Sequence, residues 1–264
     1  MDRIGPPTPL KLLSLIFLVP WYRWHYLIFG PRLDIIGISE LENVLISGNS
    51  LVRWGDGETA LARGKSISYQ VFNDKLQIVL NRMLMEIQSN TVYGISWAYN
   101  SKIWDRKWNK RFFKILLSTR ILWCAKFKPS NQQLFVETTI FYKLNEKLPL
   151  FLNAICKNKS VLLLASDGNY ISVCPPGTQY IHCKSKDAFD DFKIITDKID
   201  KWIDKNLKQK KIILSSIGPT SKAIWMHYTN SPNLQVIDVG HGFSFYLNGE
   251  NSFAWKTDKG QSRQ

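Results

Sequence analysis

A chain of 264 residues that is 45% hydrophobic has enough apolar mass for one large α/β domain or two small ones, which excludes wholesale disorder. Its net charge of +14 requires an anionic partner: nucleic acid, an anionic membrane face or a phosphate-bearing substrate. Four cysteines (Cys124, Cys156, Cys174, Cys183) with no C-x-x-C pair, and only four histidines, exclude a zinc finger and a disulfide scaffold and read as reduced thiols of a cytoplasmic protein.

In chain order, residues 1–36 form an amino-terminal arm. Leu12 to Val19 is apolar apart from Ser14, Pro20 interrupts it, and Trp21, Tyr22, Trp24 and Tyr26 follow with Arg23 and His25 among them. Eight residues are too few to span a bilayer. Aromatics mixed with Lys11 and Arg23 suit an amphipathic helix lying at a membrane surface, and packing on the domain or on a second copy of the chain is the alternative. Residues 37–264 are read as one domain. Ile38 to Ile46 is a predicted helix, with Ser39 as N-cap and Glu42 completing a capping box. Ser50 to Trp54 is a strand that runs into the turn Gly55-Asp56-Gly57. Asn73 to Ser89 places Leu76, Val79, Leu80, Met83, Leu84 and Ile87 at helical spacing, and Val92 to Ser96 is a strand.

Asp105 to Leu117 reads as a basic helix. It lies within Ser101 to Ser130, where nine basic residues face a single acidic one, Asp105, so that +8 of the +14 is concentrated there. Further on, Ser160 to Ala165 is a buried strand and Tyr180 to Cys183 a short one. Ala188 to Leu207 is a helix, and Lys211 to Ile217 a strand broken by Gly218-Pro219-Thr220. A helix then runs to about His227, and Leu234 to Val239 closes the set. Strands alternating with helices predict a Rossmann-like α/β fold, a mostly parallel sheet flanked by helices.

In such sheets ligands bind beyond the carboxyl ends of the strands. One exit is Arg53-Trp54-Gly55-Asp56-Gly57-Glu58, where two carboxylates on a tight turn suit a hard cation, Mg²⁺ or Mn²⁺, and Arg53 suits a phosphate. A second is Gly218-Pro219-Thr220-Ser221, a helix start with outward N–H groups that suit phosphate. A third is Asp238-Val239-Gly240-His241-Gly242, offering a metal ligand, a base or a donor. Ser166-Asp167-Gly168-Asn169 is the weakest.

The order R-W-G-D-G-E, then Ser68-Tyr69-Gln70, then I-G-P-T, then D-V-G-H resembles the GT-D-type glycosyltransferases, bacterial enzymes first described as a domain of unknown function. The resemblance runs from about Leu41 to Tyr246. It implies Asp56 and Glu58 at the metal and the catalytic centre, and His241 completing the metal shell. It also implies Arg53, Gly55, Gly57, Gln70, Gly218, Pro219, Thr220 and Asp238 around a nucleotide-sugar donor. Asp167, Asp238 and Glu58 are the acids available as a base. The chain departs from the family pattern in two places: Ser166 to Tyr170 has no arginine, and Leu134 to Tyr142 has no Arg-Pro. Both departures fall on the acceptor side.

The expected function is therefore Mn²⁺- or Mg²⁺-dependent transfer from a UDP-sugar to a glycan, glycoprotein or lipid-linked acceptor. The expected setting is the cytoplasm or the inner face of the cell membrane, with homo-oligomerisation left open. The rival readings are a catalytically inactive family member that binds nucleotide-sugar and a basic nucleic-acid binder. The second lacks any helix-turn-helix, RRM, KH or zinc signature, so no nucleic-acid partner is expected.

Overall fold

The computed structural model describes residues 34–95 and 133–249. The arm up to residue 33, the expected basic helix Asp105 to Leu117 with its charge window, and Cys124 lie outside the described residues.

Eight strands form one sheet: β1 (Asp34–Ile35), β2 (Ser50–Trp54), β3 (Thr91–Ile95), β4 (Leu134–Glu137), β5 (Lys159–Ala165), β6 (Gln179–His182), β7 (Lys210–Ser216) and β8 (Leu234–Asp238). Their order is β1-β4-β3-β2-β8-β7-β5-β6, and every pair is parallel. The expected α/β sheet is thus wholly parallel where described. The first half of the chain builds one side and the second half the other, so β2 and β8 meet in the middle. That seam sets Leu51 opposite Ile237.

Helices cover both faces. On one lie α2 (Asp56–Ala62), α3 (Asp74–Met85), α6 (Phe192–Lys205) and α7 (Thr220–Tyr228); on the other α1 (Ile38–Ile46), α4 (Ile140–Leu144), α5 (Leu148–Cys156) and α8 (Gly242–Asn248). Burial on both faces explains why β5 is a continuous apolar run. Alternation along β2 and β8 divides the strands between two cores. Val52, Trp54 and Val236 pack with Leu80, Ile199 and Trp225. Leu51 and Ile237 pack with Leu41, Leu152 and Phe243.

Several boundaries differ from expectation for local reasons. Helix α1 begins at Ile38 after Gly37, whose backbone is extended, and no side chain caps it, so the Ser39–Glu42 box does not form. The predicted Asn73 to Ser89 helix is α3, ended at Met85, with Asn73 as a true cap whose side chain accepts from the Lys75 and Leu76 N–H groups. The segment read as one helix from Ala188 begins as a 3₁₀ turn, Ala188–Asp191, before α6. Elements β4, α4, α5 and α8 had no counterpart in the sequence reading. Asp34–Ile35 is an edge strand of the sheet, and the Ile36 N–H donates to Phe135 O at 2.8 Å.

Cys156, Cys174 and Cys183 are free, and burial pushes each thiol up to about 12. No helix among the described residues is long and apolar enough to cross a membrane.

Candidate donor site at the central strand exits

The carboxyl ends of β2, β7 and β8 bring together the three exits singled out from the sequence. Trp54, fully buried, anchors the first: its indole N–H donates to Thr59 Oγ1 at 2.9 Å, and that hydroxyl donates to Gly55 O at 3.0 Å. Glu58 bends back so that its Oε2 accepts from the Gly55 N–H at 2.9 Å. Its other oxygen, Oε1, lies 2.7 Å from Lys222 Nζ.

Lys222, in the first turn of α7, is the residue the sequence reading missed. Its ammonium also lies 2.7 Å from Asp238 Oδ2, and it donates to Gly218 O at 3.4 Å. One buried cation therefore ties the ends of all three strands together. Asp238 is wholly buried, Lys222 is 3% exposed and Glu58 6%. Burial alone would neutralise the Lys222 ammonium, but Asp238 and Glu58 outweigh it and hold its pKa above the ordinary value. Asp238 behaves in the mirror sense. Burial pushes it up, yet Lys222 and Arg53 prevail and keep it below the usual carboxylate range.

Arg53 completes the cluster. Its Nη1 donates to Thr138 O at 2.8 Å, its Nη2 lies 3.5 Å from Asp238 Oδ1, and its backbone N–H donates to Asp238 Oδ2 at 3.3 Å. Burial opposes its charge, and Asp238, Tyr142 and Glu58 more than restore it. Its Nε is buried with no partner among the described residues. Glycines make the room. Gly94, opposite Arg53 on β3, would bring a Cβ to 2.7 Å from Arg53 Cγ, and a Cβ on Gly240 would fall on the guanidinium itself.

Tyr69 roofs one side. A Cβ on Gly57 would sit 2.8 Å from its hydroxyl and one on Gly218 3.0 Å from its ring, and the ring meets His241 edge-on at 6.4 Å. Gln70, next to Tyr69 and expected at the donor, holds the loop in place. It is 2% exposed, its Nε2 donates to Val71 O at 3.1 Å, and its Oε1 accepts from Phe189 N at 3.4 Å. Asp187 finishes that staple by accepting the Val71 N–H at 2.6 Å.

Among the described residues no group of three or more His, Cys, Asp or Glu side chains is gathered as a metal site, and the three residues expected at the metal, Asp56, Glu58 and His241, sit in different surroundings. Both Glu58 oxygens are already engaged, whereas Asp56, at the first position of α2, is exposed. His241 is accessible at the rim yet crowded by its neighbours; desolvation and then Arg53 hold its pKa below the ordinary histidine value. Asp167 stands half-buried just past β5, and its Oδ1 accepts the Asn169 N–H at 2.9 Å. Thr220, at the start of α7, is fully buried, and its hydroxyl has no partner among the described residues.

Comparison with known proteins bears on this site. The family model described as glycosyltransferase GT-D fold matches residues 51–250. Glycosyltransferase GlyD of Streptococcus pneumoniae serotype 4 (strain ATCC BAA-334 / TIGR4) is 27% identical over 235 residues, covering 81% of this chain and 28% of that protein. A probable glycosyl transferase Gly of Streptococcus gordonii is 22% identical, covering 81% of this chain and 33% of its own length. The chain therefore spans a third or less of these curated relatives. Among solved structures, one described as a new glycosyltransferase from Streptococcus sanguinis superposes with a TM-score of 0.65 at 18% identity, covering 83% of this chain and 86% of that one. Another, described as a highly conserved domain of unknown function with a distinct glycosyltransferase fold, gives 0.62 at 24% identity and covers 82% of each chain.

Proposed function

The chain belongs to the GT-D-fold glycosyltransferase family, and from that premise we propose that it moves a hexosyl group from a UDP-sugar to a glycan, glycoprotein or lipid-linked acceptor. The setting proposed is bacterial surface polysaccharide or glycoconjugate assembly at the cytoplasmic face of the membrane. One observation carries the donor reading: Arg53, a buried cation with an unpartnered Nε, stands at the end of a central strand beside the Gly218-Pro219-Thr220 start of α7.

As the glycosidic C–O bond breaks, negative charge accumulates on the departing diphosphate. A preset guanidinium and the positive end of the α7 dipole stabilise that charge without reorganising. Gly55 and Gly57 make room in this turn for the Glu58 carboxylate and the Tyr69 hydroxyl. Asp238, held ionised by Lys222 and Arg53, makes a poor base, and both Glu58 oxygens are already engaged, which leaves Asp167 as the carboxylate proposed to take the acceptor's proton. A Mn²⁺ or Mg²⁺ ion carried in on the donor's own phosphates would find Asp56 as its protein ligand, since a small hard cation is commonly held by one or two carboxylates and phosphate oxygens.

The test is titration of UDP with Mn²⁺, UDP with EDTA, and a short DNA duplex, all at physiological salt. UDP is expected to bind, more tightly with Mn²⁺, and the duplex not at all. Asp56→Ala should weaken the metal-dependent part by about tenfold, or about 1.4 kcal/mol. Duplex binding without UDP binding would refute the proposal.

A further inference from the structure

We propose that Lys222 is the resident cation of this site, standing between Glu58 and Asp238 where a bound metal would otherwise bridge them and closing that pair to divalent ions. Its Nζ has three oxygen neighbours, Glu58 Oε1 at 2.7 Å, Asp238 Oδ2 at 2.7 Å and Gly218 O at 3.4 Å, one for each N–H. These come from the exits of β2, β8 and β7. A hard cation draws on the same donor set, two carboxylates and a backbone carbonyl, at shorter distances of about 2.0–2.6 Å.

The remaining oxygens are engaged as well. Glu58 Oε2 accepts from Gly55 N at 2.9 Å, and Asp238 Oδ1 faces Arg53 Nη2 at 3.5 Å. A divalent ion reaching this point must expel an ammonium that is only 3% exposed and tethered to α7. Two like charges cannot share that space in a low-dielectric interior. Lys222 therefore does permanently what an exchangeable metal would do: it neutralises the carboxylates and holds the three exits together. Asp238, so fixed, orients Arg53, which makes Lys222 a positioning residue for the cation that faces the donor. The inference deepens the donor-site reading and rests on it for the diphosphate's place, but its test needs no nucleotide.

The experiment is Mn²⁺ titration of nucleotide-free full-length protein, followed by electron paramagnetic resonance of the free ion. Wild type and Glu58→Gln are expected to take up the same amount of Mn²⁺. Lys222→Ala should gain one site at least about tenfold tighter than any in wild type, and its melting temperature should rise with Mn²⁺ because the ion binds the folded state. That extra site should vanish in Lys222→Ala/Glu58→Gln. Wild-type Mn²⁺ binding that Glu58→Gln abolishes would overturn the proposal, as would a folded Lys222→Ala protein with no new site. If Lys222→Ala fails to fold at any Mn²⁺ concentration, the comparison of wild type with Glu58→Gln decides alone. A lack of UDP binding would refute the donor reading without touching this result.

Discussion

Gly240 shows how strongly a single position can be constrained. Its φ of +54° lies in the left-handed region, and an added Cβ would coincide with the Arg53 guanidinium. Gly249 has nearly the same φ, +56°, but nothing within 4 Å of the added carbon. The pair separates backbone strain from displacement of Arg53. Each alanine variant is expected to lose about 1–3 kcal/mol of stability from the left-handed backbone. Gly240→Ala should lose more than Gly249→Ala in urea denaturation, and it alone should lose UDP affinity. Equal UDP affinity in the two variants would mean that Arg53 does not meet the donor. Residues at this scale were unevenly legible. Arg53, Asp56, Glu58, Gly218, Asp238 and His241 stood out because polar groups beside glycines at strand ends are chemically conspicuous. Lys222 did not, since a lysine in a helical pattern reads as solvent-facing until the fold sets two carboxylates around it. Gly94 carried a usable signal: a glycine inside a strand marks close approach by a neighbour, here the Arg53 stem.

At the scale of elements, legibility followed length and periodicity. Helix α3 buries Leu76, Leu80, Met83 and Leu84 along one face, and β5 is a long apolar run, so both were evident. Strand β4 has only four residues, and α5 opens on Leu148-Pro149, so neither offers a sustained period. The Ser39–Glu42 box matched a real signature and failed because chain entry through extended Gly37 sets the N-cap two residues earlier. Asn73 is the working cap, accepting from Lys75 N at 3.0 Å and Leu76 N at 3.2 Å. Asn73→Ala should therefore cost about 1 kcal/mol, read as a lower urea midpoint at unchanged slope, while Asn73→Asp stays close to wild type. A null effect of Asn73→Ala would show that packing against the sheet, and not the cap, sets the start of α3.

At the scale of the whole molecule, the strand order, which no single sequence reveals, explains why residues nearly two hundred positions apart share one site: β2 and β8 are neighbours in the sheet. Charge is distributed in the opposite way. Residues 34–95 and 133–249 together carry only +2 of the net +14, while Ser101 to Ser130 alone carry +8. The described α/β body is thus close to neutral, and most of the basic excess lies in Ser101 to Ser130, which follow β3 in the sequence. Each basic residue near an anionic membrane contributes about 1 kcal/mol, within a Debye length of about 8 Å at physiological salt. Co-sedimentation with phosphatidylglycerol vesicles should therefore be strong at low salt and fall steeply as salt rises. Replacing Lys107, Lys110, Arg111 and Lys114 with glutamine should remove most of it while leaving UDP affinity intact. Retention of the quadruple variant on vesicles would assign the contact to the aromatic arm, where Trp21, Tyr22 and Trp24 offer a binding mode that salt barely weakens.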